Sequence, residues 1–403
     1  MKLLENITII DMTTYAAGPS ATRILADMGA TVIKIEPIKG EAFRVWGRTN
    51  KMPVDIDENP AFEMDNVNKL GIALDMKSPE GQEILYKLLE KADAFCSNYR
   101  LKALERLGLT YETIHEKFPK LVYGFCSGYG SKGPKAQAPG FDYVAYWARG
   151  GIMEATGELG GNPAQIVPAG GDQATGVILA GAICAALLCA KNTGIGEKVE
   201  VSLYQSAIWL NSLNLLKSYY GAGGRESRLK PSVPLLNSYM CKDGRWISIA
   251  ILEHERYWRP FCSAIGREDL FEDERFSTLK AAQKNSEELT RIVDAVMLTR
   301  TIDEWEKIFN NNDIASQRLL TSEEINEDEQ ALSNDYLRPF TFRNGNTINM
   351  TTAPFKVTSQ ELTTIKYAPR IGENTVEIMK KAGYSDKEIK VLKEKGIIEI
   401  FES

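Results

Sequence analysis

Near the middle of the chain stands VPAGGDQATGVILAGAICAALLCA, in which one acid, Asp172, follows Gly170 and Gly171 and precedes a run that is almost wholly apolar. A carboxylate at the mouth of a helix is favoured by the macrodipole and by amides that lack an intrahelical acceptor, worth about 0.3–1 kcal/mol when exposed. The two glycines permit backbone angles that other residues resist, so the chain can turn sharply before the acid. The small apolar run behind predicts burial on most sides, against a sheet or a second subunit. The same carboxylate suits a plain helix N-cap, and local pattern alone leaves that reading beside a functional one.

Other chemistry-bearing patterns are weaker. GYGSKG (128–133) follows a strand-like run and formally matches GxGxxG. A dinucleotide fingerprint also needs a helix to open there, whereas Pro134 and Pro139 follow in a turn-rich stretch. Glu36 ends a strand-like run, where an acid can hold a ribose, but strand-end acids are common on surfaces. The first strand–helix turn, TTYAAGPS, lacks the fingerprint, and no Walker A, HExxH or GxSxG sequence is present. Two histidines, His115 and His254, disfavour a His-based metal site, and both read as structural.

The elements that must position these residues read as a parallel sheet covered by helices. ITIIDM is strand-like, GPSATRILADMG helical with Gly29 at its end, and TVIKIE the next strand. SPEGQEILYKLLEKAD repeats the helix grammar, with Ser78 as N-cap and Pro79 in the first turn. AFCSN gives a third strand, LVYGFCSG a fourth, and GIGEKVEVSL a turn and another strand. A long helix is expected from Tyr204 to Tyr220, and GAGGRESRLKPSVP reads as a linker. SYMCKDGRWISIAI reads as a hairpin turning at Lys242–Gly244. From Tyr257 to Glu323 the pattern is helical and charged, as in a second, smaller domain.

Composition excludes several classes. The chain has 403 residues, 43% hydrophobic and 25% charged, with a net charge of −6, so it is globular material without a basic nucleic-acid footprint. Its longest apolar run, Val177 to Ala190, is shorter than the ~20 residues of a bilayer span, so no membrane partner is expected. Six isolated cysteines, each inside an apolar segment, read as free buried thiols in a reducing cytoplasm.

Taken in order, AAGPSATRILADMGATVIKIEP, NKLGIALDMKSPEG, GYGSKGP, PGFDYVA, GGDQATG, GIGEKVEVSLYQSA and APRIGENTVEIMKKAGYS resemble the class III CoA-transferases, the family of the formyl-CoA:oxalate and carnitine CoA-transferases. The resemblance covers nearly the whole length. SNYRLKALERLGL, GFDYVAYWARGG, ALSNDYL and GREDL are similar to the clostridial branch acting on (R)-2-hydroxy acids, such as phenyllactate and 2-hydroxyisocaproate. It implies an α/β fold: a Rossmann-like large domain with a six-stranded sheet, plus a smaller α/β domain. The chain would form a ring, and two rings an interlocked homodimer. The implied division is 1–200 as the first part of the large domain, 201–225 as helix and linker, 226–328 as the small domain, and 329–403 as the return.

In that family the acid at the position of Asp172 is the nucleophile, and it carries CoA as an aspartyl thioester. CoA is then a substrate, with no permanently bound cofactor. Family contacts to CoA fall here on Ala16, Ala17, Leu74, Lys77, Asn98, Tyr99, Arg100, Arg106, Phe141 and Asp142. Lys77, Arg100 and Arg106 would neutralise phosphate, and Leu74 and Tyr99 would flank the adenine. Ala16 and Pro37 depart from the Gln and Arg of the oxalate enzyme, and LKPSVPLLN stands where that branch has a run of four glycines. Those two contacts are expected to be lost, and oxalate is disfavoured. The racemases of the superfamily need a second base where this chain has Phe141. A bile-acid transferase and a non-catalytic CoA-binding protein stay as alternatives. The branch feeds 2-hydroxyacyl-CoA to a dehydratase, which gives the expected pathway link.

Overall fold

The computed structural model describes residues 2–358 and 365–402. It divides into two compact units: one takes residues up to 152, 165–213 and 329 onward, the other 153–164 and 214–328.

The first unit is built on six parallel strands: β1 (Thr8–Met12), β2 (Thr31–Glu36), β3 (Leu70–Leu74), β4 (Ala94–Ser97), β5 (Val122–Ser127) and β6 (Lys198–Ser202). Their order is 3-2-1-4-5-6, and a short antiparallel strand, Ile398–Glu399, pairs outside β3. Strand β3, which the sequence pattern did not mark, makes AFCSN the fourth strand rather than the third. Strands β1 to β5 are largely buried, as expected of parallel strands covered on both faces.

The helices of this unit begin with α1 (Ala17–Asp27), α2 (Pro60–Asn66), α3 (Pro79–Leu89), α4 (Leu101–Arg106) and α5 (Tyr111–Lys117). In chain order follow α6 (Ile152–Ala155), α7 (Gly170–Thr193), α8 (Leu203–Leu210) and α9 (Ser212–Tyr219), of which α6 and α9 have most of their residues in the second unit. Two apolar clusters fill the two faces of the sheet. One joins Ile9, Val32, Cys96 and Val122 to α1 and α7 through Leu25, Leu179 and Ile183. The other joins Ile10, Ile72 and Phe95 to α3, α4 and α5 through Ile84, Leu104 and Ile114. Helix α3 starts as its sequence predicts, with Ser78 Oγ accepting from the Gly81 amide at 3.0 Å. Beyond α1, Gly29 adopts φ +102°, the left-handed turn that ends many helices.

Helix α7 is longer than its apolar run suggested, and by length and composition it suffices to cross a membrane. It lies instead along the sheet: a Cβ on Gly124 of β5 would meet Ile183 at 2.9 Å, and one on Gly176 would meet Ser20 Oγ of α1 at 1.8 Å. Its other face leaves Val177, Ile178 and Leu188 exposed. The long helix expected from Tyr204 to Tyr220 is two, α8 and α9, parted at Asn211, whose Nδ2 donates to the Gly150 carbonyl at 3.1 Å. GYGSKG forms turns rather than a helix, with positive φ at Gly130 and Gly133, so no helix N-terminus is presented to a dinucleotide there.

The second unit carries the hairpin Leu236–Met240/Trp246–Ala250, turning at Gly244 (φ +78°), with Ser316–Arg318 as its third strand. Helices pack on it around Trp258, Phe261, Trp305 and Phe309. His254 is buried in this core, its Nε2 2.7 Å from the Phe276 carbonyl and its ring stacked on Trp258. All six cysteines are free, but Cys189 is exposed in the single chain, unlike the burial expected of it.

Candidate active site

Strands β1 and β4 are neighbours, and the order reverses between them. The carboxyl ends of strands at such a switch point form a crevice. Here a cavity of about 290 Å³ is lined by residues 14–17 after β1, 98–101 after β4, 125–128 at the end of β5, and by Gly140, Phe141, Leu203 and Asp172. The turn after β1 is held by buried and half-buried polar groups. Asn98 Oδ1 accepts from the Thr14 amide at 2.9 Å, and its Nδ2 donates to the Thr14 carbonyl at 2.7 Å. Glu41 Oε2 accepts from the Tyr15 amide at 2.8 Å, while Lys34 Nζ pairs with Glu41 at 2.7 Å and donates to the Thr13 carbonyl at 3.0 Å. Burial alone would lower the Lys34 pKa, but the charges of Glu41, Asp11 and Glu36 outweigh it and keep the ammonium charged. This framework holds Tyr15 at φ +63°, a conformation non-glycine residues rarely adopt. Helix α1 then starts at Ala17 without a side-chain cap, leaving its first amides as open donors at the cavity wall.

The start of α7 shows why its glycines are needed. Neither has positive φ; the left-handed residue is Ala169, at +59°. The glycines serve close approach instead. A Cβ on Gly171 would lie 2.2 Å from Tyr146 Cγ and 2.3 Å from Asp142 Oδ1, and one on Gly170 would lie 3.2 Å from the Trp147 ring. The expectation of unusual backbone angles at these two positions is therefore corrected. Nor is Asp172 an N-cap: it is the third helical residue, and α7 has no side-chain cap bond. The packing partners belong to a π-helical turn, Asp142–Ala148, a rare geometry associated with functional sites. Asp142 lines neither the cavity nor the groove described below. It sits beside the α7 start, where its Oδ2 accepts from Trp147 Nε1 at 3.0 Å. Its Oδ1 faces the amides of Gly171, Asp172 and Ala169 without closing a well-formed hydrogen bond.

Asp172 itself is half-buried by surface, open to the cavity yet enclosed closely enough that its carboxyl is largely desolvated. Loss of water, then the negative charges of Asp142 and Asp65, push its pKa up to about 8. The Cys126 thiol in the same cavity is pushed up to about 12, by burial first and the Asp172 charge second. The site thus offers a basic, poorly solvated carboxylate beside the starts of two helices.

A groove of about 820 Å³ is lined by Leu74, Lys77, Tyr99 and Arg106, together with Pro37, Lys39 and Gln82. Tyr99 lines both spaces. The expected residues thus divide: Ala16, Ala17, Asn98, Tyr99, Arg100 and Phe141 surround the cavity, and Leu74, Lys77 and Arg106 the groove. Lys39 offers a cation two residues beyond Pro37, where the sequence reading saw only a lost contact. Tyr15, Cys126, Leu203 and Gln82 were missed. For Tyr15, Cys126 and Leu203 the signal is their place at or just after strand ends in a parallel sheet, whereas Gln82, in the first turn of α3, has no such mark.

The chain is 39% identical to the (R)-2-hydroxy-4-methylpentanoate CoA-transferase of Clostridioides difficile, covering 98% of this chain and 99% of that one. It is 37% identical to the cinnamoyl-CoA:phenyllactate CoA-transferase of Clostridium sporogenes, over 98% and 97%. Its structure resembles that of a CaiB/BaiF family protein from Brucella suis at TM-score 0.81 and 25% identity, covering 94% of this chain and 99% of that one. The model of CoA-transferase family III matches residues 4–375. The chain belongs to CoA-transferase family III.

Proposed function

We propose that the protein moves CoA between an acyl-CoA and a free (R)-2-hydroxy acid with an aliphatic or aromatic side chain, such as 2-hydroxyisocaproate or phenyllactate, with Asp172 as the covalent carrier. The observation that carries this reading is the Asp172 carboxylate, desolvated, without a cationic partner among the described residues, and facing a cavity beside open helix amides. The names of the two bacterial relatives, and the apolar side chains of Tyr15, Phe125, Phe141 and Leu203 on the cavity wall, support the choice of acid.

The steps balance without ATP. The ionised Asp172 attacks the thioester carbonyl, the C–S bond breaks, and a mixed anhydride and CoA thiolate result. The thiolate attacks the aspartyl carbonyl of the anhydride, releasing the first acid and leaving an aspartyl-CoA thioester. The carboxylate of the incoming acid attacks that thioester, expelling the thiolate and forming a second anhydride. Attack of the thiolate on its acyl carbonyl then gives the new acyl-CoA and frees Asp172. The amides that open α1 stabilise the developing oxyanions. Exclusion of water protects the anhydride from hydrolysis.

The test is direct. Incubation with acyl-CoA alone should leave a covalent CoA adduct visible by intact mass, and hydroxylamine or borohydride should trap it at Asp172. A racemase, a passive CoA binder or a chain using another nucleophile gives no such product at Asp172. A panel of acceptor acids separates the 2-hydroxy acid reading from a bile-acid transferase.

The groove of Lys77 and Arg106 suits the phosphates of CoA, and its tail leads past Tyr99 to the cavity. Replacing Lys77 or Arg106 by alanine is expected to raise KM for acyl-CoA about 5–10-fold, with kcat changed by less than about twofold. An equal fall in kcat, measured by initial rates, would place the phosphates elsewhere.

The apolar residues that α8 and α9 leave open, among them Trp209 and Leu213, support a homodimer that covers them, in the interlocked ring arrangement of the family. Light scattering should give twice the 44.9 kDa chain mass, and a monomer refutes it. The free cysteines support a cytoplasmic setting, and 2-hydroxyacyl-CoA as product supports supply to a dehydratase.

A further inference from the structure

Asp65, in α2, is a buried acid that the steps above do not use. It is 1% exposed. Its Oδ1 accepts from Gln173 Nε2 at 2.9 Å, and its Oδ2 has no hydrogen-bond partner among the described residues. The neighbouring cations are committed elsewhere. Lys69 Nζ donates to Asp11 Oδ2 at 2.9 Å, the Pro19 carbonyl at 2.9 Å and Asn66 Oδ1 at 3.0 Å, which uses all its donors. Arg23 donates to the carbonyls of Met64 and Thr351 and pairs with Asp27. A carboxylate this deep without an ion pair costs stability, and such costs cluster where function requires them. Gln173 directly follows Asp172, so Asp65 reaches the nucleophile's own helical turn from another element.

We propose that Asp65 is a positioning residue for CoA transfer: through Gln173 it fixes the first turn of α7 and holds a negative charge behind Asp172. The inference rests on Asp172 being the nucleophile. Asp172 is negative before attack and neutral once acylated. A fixed like charge destabilises the first state more than the second, and it makes the attacking oxygen more basic. The groups facing Asp65 are Gln173, Lys69, Arg23 and Glu41; those facing Asp172 are Asp65, Asp142 and the Cys126 thiol. Burial pushes the Asp65 pKa up to about 6, against the pull of Gln173, Lys69 and Arg23, so it is ionised where Asp172 titrates at about 8.

Asp65→Asn keeps the size and the acceptor for Gln173 and removes the charge. In the wild type, kcat/KM for acyl-CoA rises with pH through about 8 as Asp172 ionises. In Asp65→Asn that limb is expected to move down by about half to one pH unit, and the plateau kcat to fall about 3–10-fold. A limb in the wild-type place with kcat within twofold overturns the proposal. Should Asp65→Asn fail to fold, Gln173→Met cuts the same link from α7. It is expected to lower kcat several-fold at unchanged KM, and an unchanged kcat overturns the proposal. Borohydride trapping of the wild type separates the two failures. An adduct at Asp172 with an unmoved limb rejects the role of Asp65 alone. No adduct rejects the nucleophile, and the role of Asp65 with it.

Discussion

Asp172→Asn is expected to lower CoA transfer by at least about 10⁴-fold, because the amide cannot form the anhydride and the Cys126 thiol of the same cavity, its pKa pushed up to about 12, stays protonated. The same variant is expected to be more stable than the wild type. Asp172 has its folded pKa raised from 3.8 to about 8, so the folded state resists an ionisation that the unfolded chain makes freely. Stability is therefore drawn off as pH rises from about 4 to about 8, and the loss is complete above the folded value. Asparagine carries no such cost. Urea titration should show a gain of about 1–3 kcal/mol at pH 8 and little difference at pH 4. Residual turnover within about 100-fold of the wild type would end the covalent reading. Equal stability at pH 8 would end the claim that the carboxylate is held against its solvation.

Gly171→Ala is expected to have the next largest effect. Its methyl group would fall 2.2 Å from Tyr146 Cγ and 2.3 Å from Asp142 Oδ1. Neither side chain can withdraw easily, since Tyr146 is 4% exposed within the core and Asp142 is tied to Trp147. The start of α7 must shift, and Asp172 with it. A displacement near 1 Å at a nucleophile costs about 10²-fold in kcat, and overpacking costs about 1–3 kcal/mol. Gly170→Ala is the control. Its nearest contact is the Trp147 ring at 3.2 Å, so kcat should fall less than about tenfold. Equal kinetics for the two variants would show that this contact does not place Asp172.

Much of the first unit was legible because parallel strands covered on both faces must be apolar, as ITIIDM, TVIKIE and LVYGFCSG are. Leu70–Leu74 is less legible because LGIAL holds a single β-branched residue beside Gly71 and Ala73, residue types depleted in strands. The π-helical turn was not legible at all. Its register comes from seating Asp142 and Tyr146 against Gly171, a contact between distant segments. At the site, Asp172 stood out through its glycines and the run behind it, though the glycines act by leaving room and not by bending the chain. Its chemistry came only from likeness to a family. Tyr15, Cys126 and Leu203 carry no local mark, because only the strand order brings the ends of β1, β5 and β6 to one cavity. Asp65 is harder still. Its significance lies in a partner it lacks, which no pattern of residue types can express.

Strand β3 borders the sheet on one side, and its outer neighbour is Ile398–Glu399, tied in by the Asp75 amide on the Ile397 carbonyl and by Thr375 Oγ1 on the Glu399 carbonyl. Without this neighbour β3 would present a bare ladder of amides and carbonyls that another extended peptide can join. Removing Ile398–Glu399 should therefore turn a soluble product into inclusion bodies although no catalytic group is touched.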